Sequence, residues 1–230
     1  MSTREKILTS IRSHLAESLS HESSKASHGD SWQEEKPLKP VAVNGTSAAE
    51  LFKQNLEAVD GHCVIVEGES QVVEALTKIV SDLQQTRLQA KSLALSDDPV
   101  VKRLVMQMQL EVDDLQVAPS NSDVFHCDVG ITSAQAAIAE TGTLVLDGAK
   151  ERHRVVSLVP PAHIAILESK NIFLTLGQTL SAVQAQGSDI SRLITFVTGP
   201  SRTADIELTL AIGVHGPQEL YVIINAGAPL

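Results

Sequence analysis

The sequence predicts an α/β protein built on a mostly parallel sheet with helices on both faces. Helix-like and strand-like segments alternate from residue 47 onward, the rhythm of strand, crossover helix and parallel strand. Apolar residues make up 43% of the chain and aromatics only 3%, so the interior must come from Val, Ile, Leu and Ala, which suits buried parallel strands. At 230 residues the chain can bury one substantial core, with an arm beside it.

The arm comes first. Ile7, Leu8, Ile11, Leu15 and Leu19 recur at helical spacing among charged and hydroxyl residues, so the chain opens on an amphipathic helix. Residues 20–40 then turn to Ser, His, Glu, Lys and Pro, the composition of an exposed connector, with Trp32 as its one aromatic anchor. Residues 1–40 therefore form an N-terminal helix and connector, and residues 41–230 form the α/β domain.

Within the domain, residues 47–59 read as a helix with Ser47 as cap and Leu51, Phe52, Leu56 and Val59 on one side. A strand at 63–66 follows, then a helix at 72–83 and a strand at 92–95. Residues 99–108 form a helix with Pro99 in its first turn, where the missing N–H does no harm. From about Val117 the apolar runs come closer together, at 136–139, 143–146, 155–159 and 164–167. The turns Asp147-Gly148 and Pro160-Pro161 fall between them, so these segments read as strands joined with little helix. A helix at 176–185 and strands at 193–197 and 221–224 complete the pattern.

Charge is uneven along the chain. The net charge of −10 lies wholly in residues 41–149, which carry six basic and sixteen acidic side chains; residues 1–40 and 150–230 each carry six of either sign. No basic stripe exists to neutralise a phosphate backbone, which disfavours nucleic acid as a partner. The apolar runs, such as 208–214, are far shorter than a membrane span, and the polar start Met1-Ser-Thr-Arg-Glu-Lys lacks the features of a secretory signal. These features predict a soluble, cytoplasmic protein. Cys63 and Cys127 are the only cysteines, and two thiolates cannot hold a usual iron–sulfur cluster.

Three stretches carry a family resemblance. They are Gly130-Ile-Thr-Ser-Ala-Gln-Ala-Ala-Ile-Ala-Glu-Thr-Gly-Thr-Leu-Val-Leu146, then Val155-Val-Ser-Leu-Val-Pro-Pro-Ala-His-Ile-Ala-Ile-Leu167, and Gly199-Pro-Ser-Arg-Thr-Ala-Asp-Ile-Glu207 followed by Gly213-Val-His-Gly-Pro217. In this order they resemble the lactate-utilisation protein C family, whose members carry a LUD domain. The resemblance implies a three-layer α/β/α sandwich similar to the sugar-phosphate isomerase and coenzyme A transferase group. It also implies a role in oxidising L-lactate to pyruvate, with iron–sulfur clusters on partner proteins and no cofactor bound by this chain. The sequence has no Gly-x-Gly-x-x-Gly between a strand and a helix, which argues against an independent nicotinamide dehydrogenase.

Several residues are candidates for chemistry. Glu140 stands between two apolar runs, where a carboxylate is either hydrogen-bonded to nearby amides or held as a catalytic group. Thr141 and Gly142 adjoin it, the glycine allowing positive φ or close backbone approach. The segment 199–207 follows a strand and leads towards a helix, a position suited to an anion: Arg202 offers a bidentate contact, and Ser201 and Thr203 offer hydroxyls. The competing reading is a helix cap, with Asp205 and Glu207 complementing the dipole. In the basic cluster Lys150-Glu-Arg-His-Arg154, Arg154 adjoins the next apolar run and the remainder reads as a solvated loop. His163 and His215 are either proton-transfer groups or plain hydrogen-bonding groups. No cysteine or histidine spacing matches a metal site; His62 with Cys63 and His126 with Cys127 are isolated pairs.

Two function classes follow. The first is a non-redox subunit of an iron–sulfur lactate-oxidising system that binds an anionic ligand, partner subunits or both. The second is a stand-alone transferase- or isomerase-like enzyme acting on an anionic metabolite through Glu140. What separates them is the completeness of a catalytic set around Glu140. A ligand-sensing regulator is a third reading.

Overall fold

A computed structural model describes residues 47–86, 88–109, 112–120, 122–148, 155–185, 193–204, 210–212 and 216–230. The helix expected near residues 7–19, the connector with Trp32, Arg154 and its basic cluster, Asp205, Glu207 and His215 lie outside the described residues.

The chain enters on helix α1 (Ala48–Glu57), where Ser47 and Glu50 form a reciprocal capping box. Strand β1 (His62–Val66) and helix α2 (Glu69–Gln85) follow, the helix burying Val72, Leu76, Val80 and Leu83 along one stripe. Strand β2 (Ser92–Leu95) is buried at every position, as expected of a strand covered on both faces. Helix α3 (Pro99–Met106) has Asp98 as its N-cap and Pro99 at its first position. Strands β3 (Asp114–Val117), β4 (Val129–Ala134), β5 (Ala136–Ile138) and β6 (Thr143–Asp147) come next. They are followed by the single helical turn α4 (Val155–Leu158), β7 (Ala162–Glu168), β8 (Ile172–Phe173) and helix α5 (Leu176–Ala185). Among the described residues the last strands are β9 (Ile194–Thr198), β10 (Arg202–Ala204), β11 (Leu210–Ile212) and β12 (Glu219–Asn225).

Six strands form one wholly parallel sheet in the order β1-β12-β7-β4-β2-β3. Because side chains alternate across a strand, Ile164 and Ile166 of β7 face one side and Ala165 and Leu167 the other. The first side packs against α2 and α3. The second packs against α1 and against a four-stranded sheet, β8-β5-β6-β9, whose far face receives residues of α5. The expected three layers are therefore present, with α1 and the small sheet together making the third.

Two expectations give way to tertiary packing. Residues 155–159 read as a strand from their valines, but residues 155–158 form the helical turn α4, which seats Val156 on Ala94, Val124 and Cys127. That turn crosses β4 at Gly130, where any side chain would strike the Val156 carbonyl. Similarly, the stretch after Gly199 was expected to lead to a helix, whereas Arg202–Ala204 is a strand paired antiparallel with Leu210–Ile212. In both places β-sheet or helix choice follows from what the segment packs on, which local propensity does not encode.

Candidate functional site

The two candidate turns meet at the end of α1. Thr143 of β6 pairs with Thr198 of β9, so the turn 140–142 and the turn 199–202 lie side by side at one end of the small sheet. Their hydroxyls are linked, Thr143 Oγ1 lying 2.7 Å from Thr141 Oγ1 and 2.7 Å from Thr198 Oγ1. Gly142 has φ +62° and runs so close to α1 that a Cβ would fall 2.4 Å from the Leu56 amide nitrogen. Gly199 has φ +74°, and its Cβ would fall 2.8 Å from the Val59 carbonyl oxygen. Both positions thus need glycine for two independent reasons, backbone conformation and close approach. Asn55 of α1 donates to the Ala139 carbonyl at 2.7 Å, which fixes the first turn to the same helix.

Arg202 completes this junction. Its Nη2 donates to the Val59 carbonyl at 2.9 Å and to the Asp60 carboxylate. The guanidinium is therefore shared with a carboxylate that is itself largely exposed. Glu140 points elsewhere: it is exposed, and its carboxylate accepts the amide of Leu176, the first residue of α5, at 3.3 Å. A carboxylate there complements the positive end of the helix dipole. The structure thus brings Thr141, Gly142, Ser201, Arg202 and the backbone of Thr203 into one neighbourhood and aims Glu140 at α5.

Beside the Arg202 turn lies a cavity of about 330 Å³. It is walled by α4, β9, the 199–202 turn and Gly216-Pro217, with His163 and Leu220 at the starts of β7 and β12. It therefore sits at the amino ends of the central strands. Glu140 is not among its lining residues. His163 is wholly buried, with Nε2 2.9 Å from Thr132 Oγ1 and Nδ1 without a partner among the described residues. Burial pushes its pKa down to about 4. Thr132 and Thr198 are the site residues that sequence reasoning missed, because their roles depend on partners 31 and 55 residues away.

The neutral state of His163 predicts a stability change with pH. Unfolded, the imidazole takes its proton near pH 6.5; folded, it resists until about pH 4. Between these values the unfolded chain binds more protons, so stability falls as pH falls through that window, by on the order of 3 kcal/mol from this group. Urea midpoints at pH 7 and 4.5 should separate more for the native protein than for His163→Gln. Equal separations would show that the histidine is not held neutral.

A second cavity, of about 250 Å³, opens at the carboxyl ends of β4 and β7 among Asp98, Ser133, Gln135, Glu168, Lys170 and Asn171. Its carboxylates already serve the fold. Asp98 caps α3 and takes the Ser133 hydroxyl at 2.5 Å, while Glu168 takes the Leu230 amide and the Asn225 side chain. Burial also raises the Cys63 thiol, to about 12, and the Cys127 thiol, with Asp114, Asp128 and Asp123 adding to the latter. Both stay protonated at neutral pH, which suits packing residues rather than nucleophiles. Among the described residues no group of three His, Cys, Asp or Glu side chains is placed to hold a metal ion, and no helix is long and apolar enough to cross a membrane.

Fold and cavity together define an α/β domain with a parallel sheet and a small polar-floored pocket beside a helix end. Residues 49–225 match the LUD domain, and the chain belongs to the LUD domain family. It is 27% identical over 199 residues to lactate utilization protein C of Oceanobacillus iheyensis, a match covering 80% of this chain and 83% of that one. With lactate utilization protein C of Bacillus subtilis the identity is 38% over 102 residues, covering 43% and 42% of the two chains. The crystal structure of a DUF162 family protein from Deinococcus radiodurans shares the fold, with a TM-score of 0.56 and 21% identity over 78% of this chain and 99% of that one.

Proposed function

We propose that this chain is a cytoplasmic, non-redox subunit of a system that oxidises L-lactate to pyruvate, holding an anionic ligand while iron–sulfur partner proteins carry the electrons. The observation that carries this reading is the LUD match across residues 49–225, with relatives named lactate utilization protein C. The presence of only two cysteines in the sequence supports it further, since a usual cluster takes four thiolates. The ligand side of the molecule is the junction of Thr141, Gly142, Ser201, Arg202 and Thr203, with Arg154, Asp205 and Glu207 as further contributors and Glu140 as the one catalytic candidate. Deleting the gene should abolish growth on L-lactate as sole carbon source, and the cloned gene should restore it. Undiminished growth of the deletion strain would refute the role.

A further inference from the structure

The six-stranded sheet has two edges, and they differ. At β3 the strand is four residues long, begins on Asp114, and is followed by Ala118, whose φ of +51° turns the chain out of strand geometry. At β1 the strand His62–Val66 runs for five residues with no Asp, Glu, Lys, Arg or Pro, in unbroken register with β12, its one strand partner among the described residues. Short length, charge and proline are the devices that keep an edge from pairing with another chain, and β1 has none of them.

The edge is also incompletely covered. Cys63 to Val66 are half-buried, whereas interior strand β2 is buried at every position. Beside β1, between α2 and the sheet, a cavity of about 210 Å³ stands open, lined by Val64, Ala75, Ile79 and the stacked rings of His62 and Tyr221.

Backbone geometry identifies the free groups. The Val66 carbonyl accepts the Ala226 amide, so the backbone groups of Val66, Val64 and His62 face β12. Alternation along the strand directs those of Cys63 and Ile65 to the open edge.

A twofold axis normal to the sheet brings a second β1 antiparallel against this edge and continues each face of the sheet with the same face of the other copy. The register that uses the whole strand centres on Val64. His62 then lies opposite Val66 of the second copy, Cys63 opposite its Ile65, and Val64 opposite its own counterpart. In this register Cys63 and Ile65, the residues with outward backbone groups, exchange N–H···O bonds as a pair. Continued past the strand ends, it sets Asp60 against Gly68 and Glu67 against Gly61, so no like charges are opposed. A shift of two residues sets an acid against Val66 or Cys63 instead. The strand is thus complementary to itself, and a partner strand carrying a charge beside Val64 or Ile65 would leave that charge poorly solvated.

We propose that this chain forms a twofold dimer through β1, which joins two six-stranded sheets into one of about twelve strands, a size that open α/β sheets reach. The dimer is independent of the role in lactate oxidation.

The test uses the full chain. Sedimentation equilibrium should give twice the chain mass, and the Cys63 and Ile65 amides should exchange slowly with deuterium in the dimer and faster on dilution. A cysteine pair reports the register. On a Cys63→Ser background, Val64→Cys places two Cα atoms about 4.5 Å apart across the axis, within the reach of a disulfide. It should oxidise to a covalent dimer at least about tenfold faster than His62→Cys on the same background, whose opposite residue is Val66. A monomer with freely exchanging amides would overturn the proposal, and so would a dimer in which these two amides exchange freely. A monomer whose amides are still protected would assign the edge to another segment of the same chain. Equal cross-linking at both positions would refute the Val64-centred pairing and the proposal with it. Sedimentation and exchange are read on the native sequence, so the proposal stays testable if a cysteine variant fails to fold.

Discussion

Gly130→Ala should cost more than about 3 kcal/mol of folding stability, enough to leave little folded protein in a domain of ordinary stability. The added Cβ would lie 1.9 Å from the Val156 carbonyl oxygen, 3.0 Å from the carbonyl carbon and 3.2 Å from Pro160 Cγ. Relief is hard to find. Gly130 belongs to β4, which is paired on one side with β2 and on the other with β7, so the strand cannot withdraw without breaking two ladders. The turn that would have to lift away is pinned by Val156 in its own apolar cluster. A glycine with no such neighbour makes the control: at Gly177, in the first turn of α5, the nearest atom to an added Cβ is Thr175 Oγ1 at 4.0 Å. There alanine should be neutral or stabilising by up to about 1 kcal/mol, from helix propensity alone. Urea unfolding of the two variants beside the native protein makes the comparison. A Gly130→Ala protein within 1 kcal/mol of native would mean that α4 does not cross β4 as described.

Arg202→Ala should abolish growth on L-lactate while leaving a folded protein. The fold should survive because the Asp60 carboxylate that Arg202 meets is largely exposed, and ion pairs of that kind contribute at most about 1 kcal/mol. Function should not survive, because this side chain brings the only described guanidinium to the cavity wall. Arg202→Lys keeps the charge but loses the planar fork, and should restore growth only partly. Glu140→Gln sharpens the division of roles. The amide oxygen of glutamine can still accept the Leu176 N–H, so the helix contact is kept and only charge is lost. Full growth of this variant would assign Glu140 to that structural contact. Loss of growth in a folded variant would assign it to chemistry. Full growth of a folded Arg202→Ala would remove Arg202 from the site.

Local chemistry was legible in the sequence wherever a single element carries its own signal. Ser47 before an apolar stripe and Pro99 in a first turn marked two helix starts correctly, because a cap is a contact within four residues. Strand β2 and helix α5 were read at their observed bounds for the same reason, a clean run or period between breakers. What escaped depends on distant partners. The valines of α4 look like a strand, and only Gly130, some 26 residues earlier, leaves the space into which their helical turn fits. Strand β8 is two residues long, too short to show any period, and exists because Ala137 and Ile138 offer it an edge. At the site, Gly142 was readable as a turn glycine. The common docking of Gly142 and Gly199 at the end of α1 was not, since it joins residues about 86 and 140 positions apart in sequence. The same holds for His163. Its type and position between a double proline and a strand drew notice, but its hydrogen bond runs to Thr132 on a neighbouring strand.

The most direct test of the proposed role is an anaerobic purification of the tagged chain from cells grown on L-lactate, with iron and acid-labile sulfide measured in the complex and in the chain separated from it. The expected result is iron and sulfide that follow cysteine-rich partner polypeptides, and a separated chain that is colourless and iron-free. Stoichiometric iron on the separated chain, or a chain that emerges from lactate-grown cells with no iron–sulfur protein bound, would contradict it.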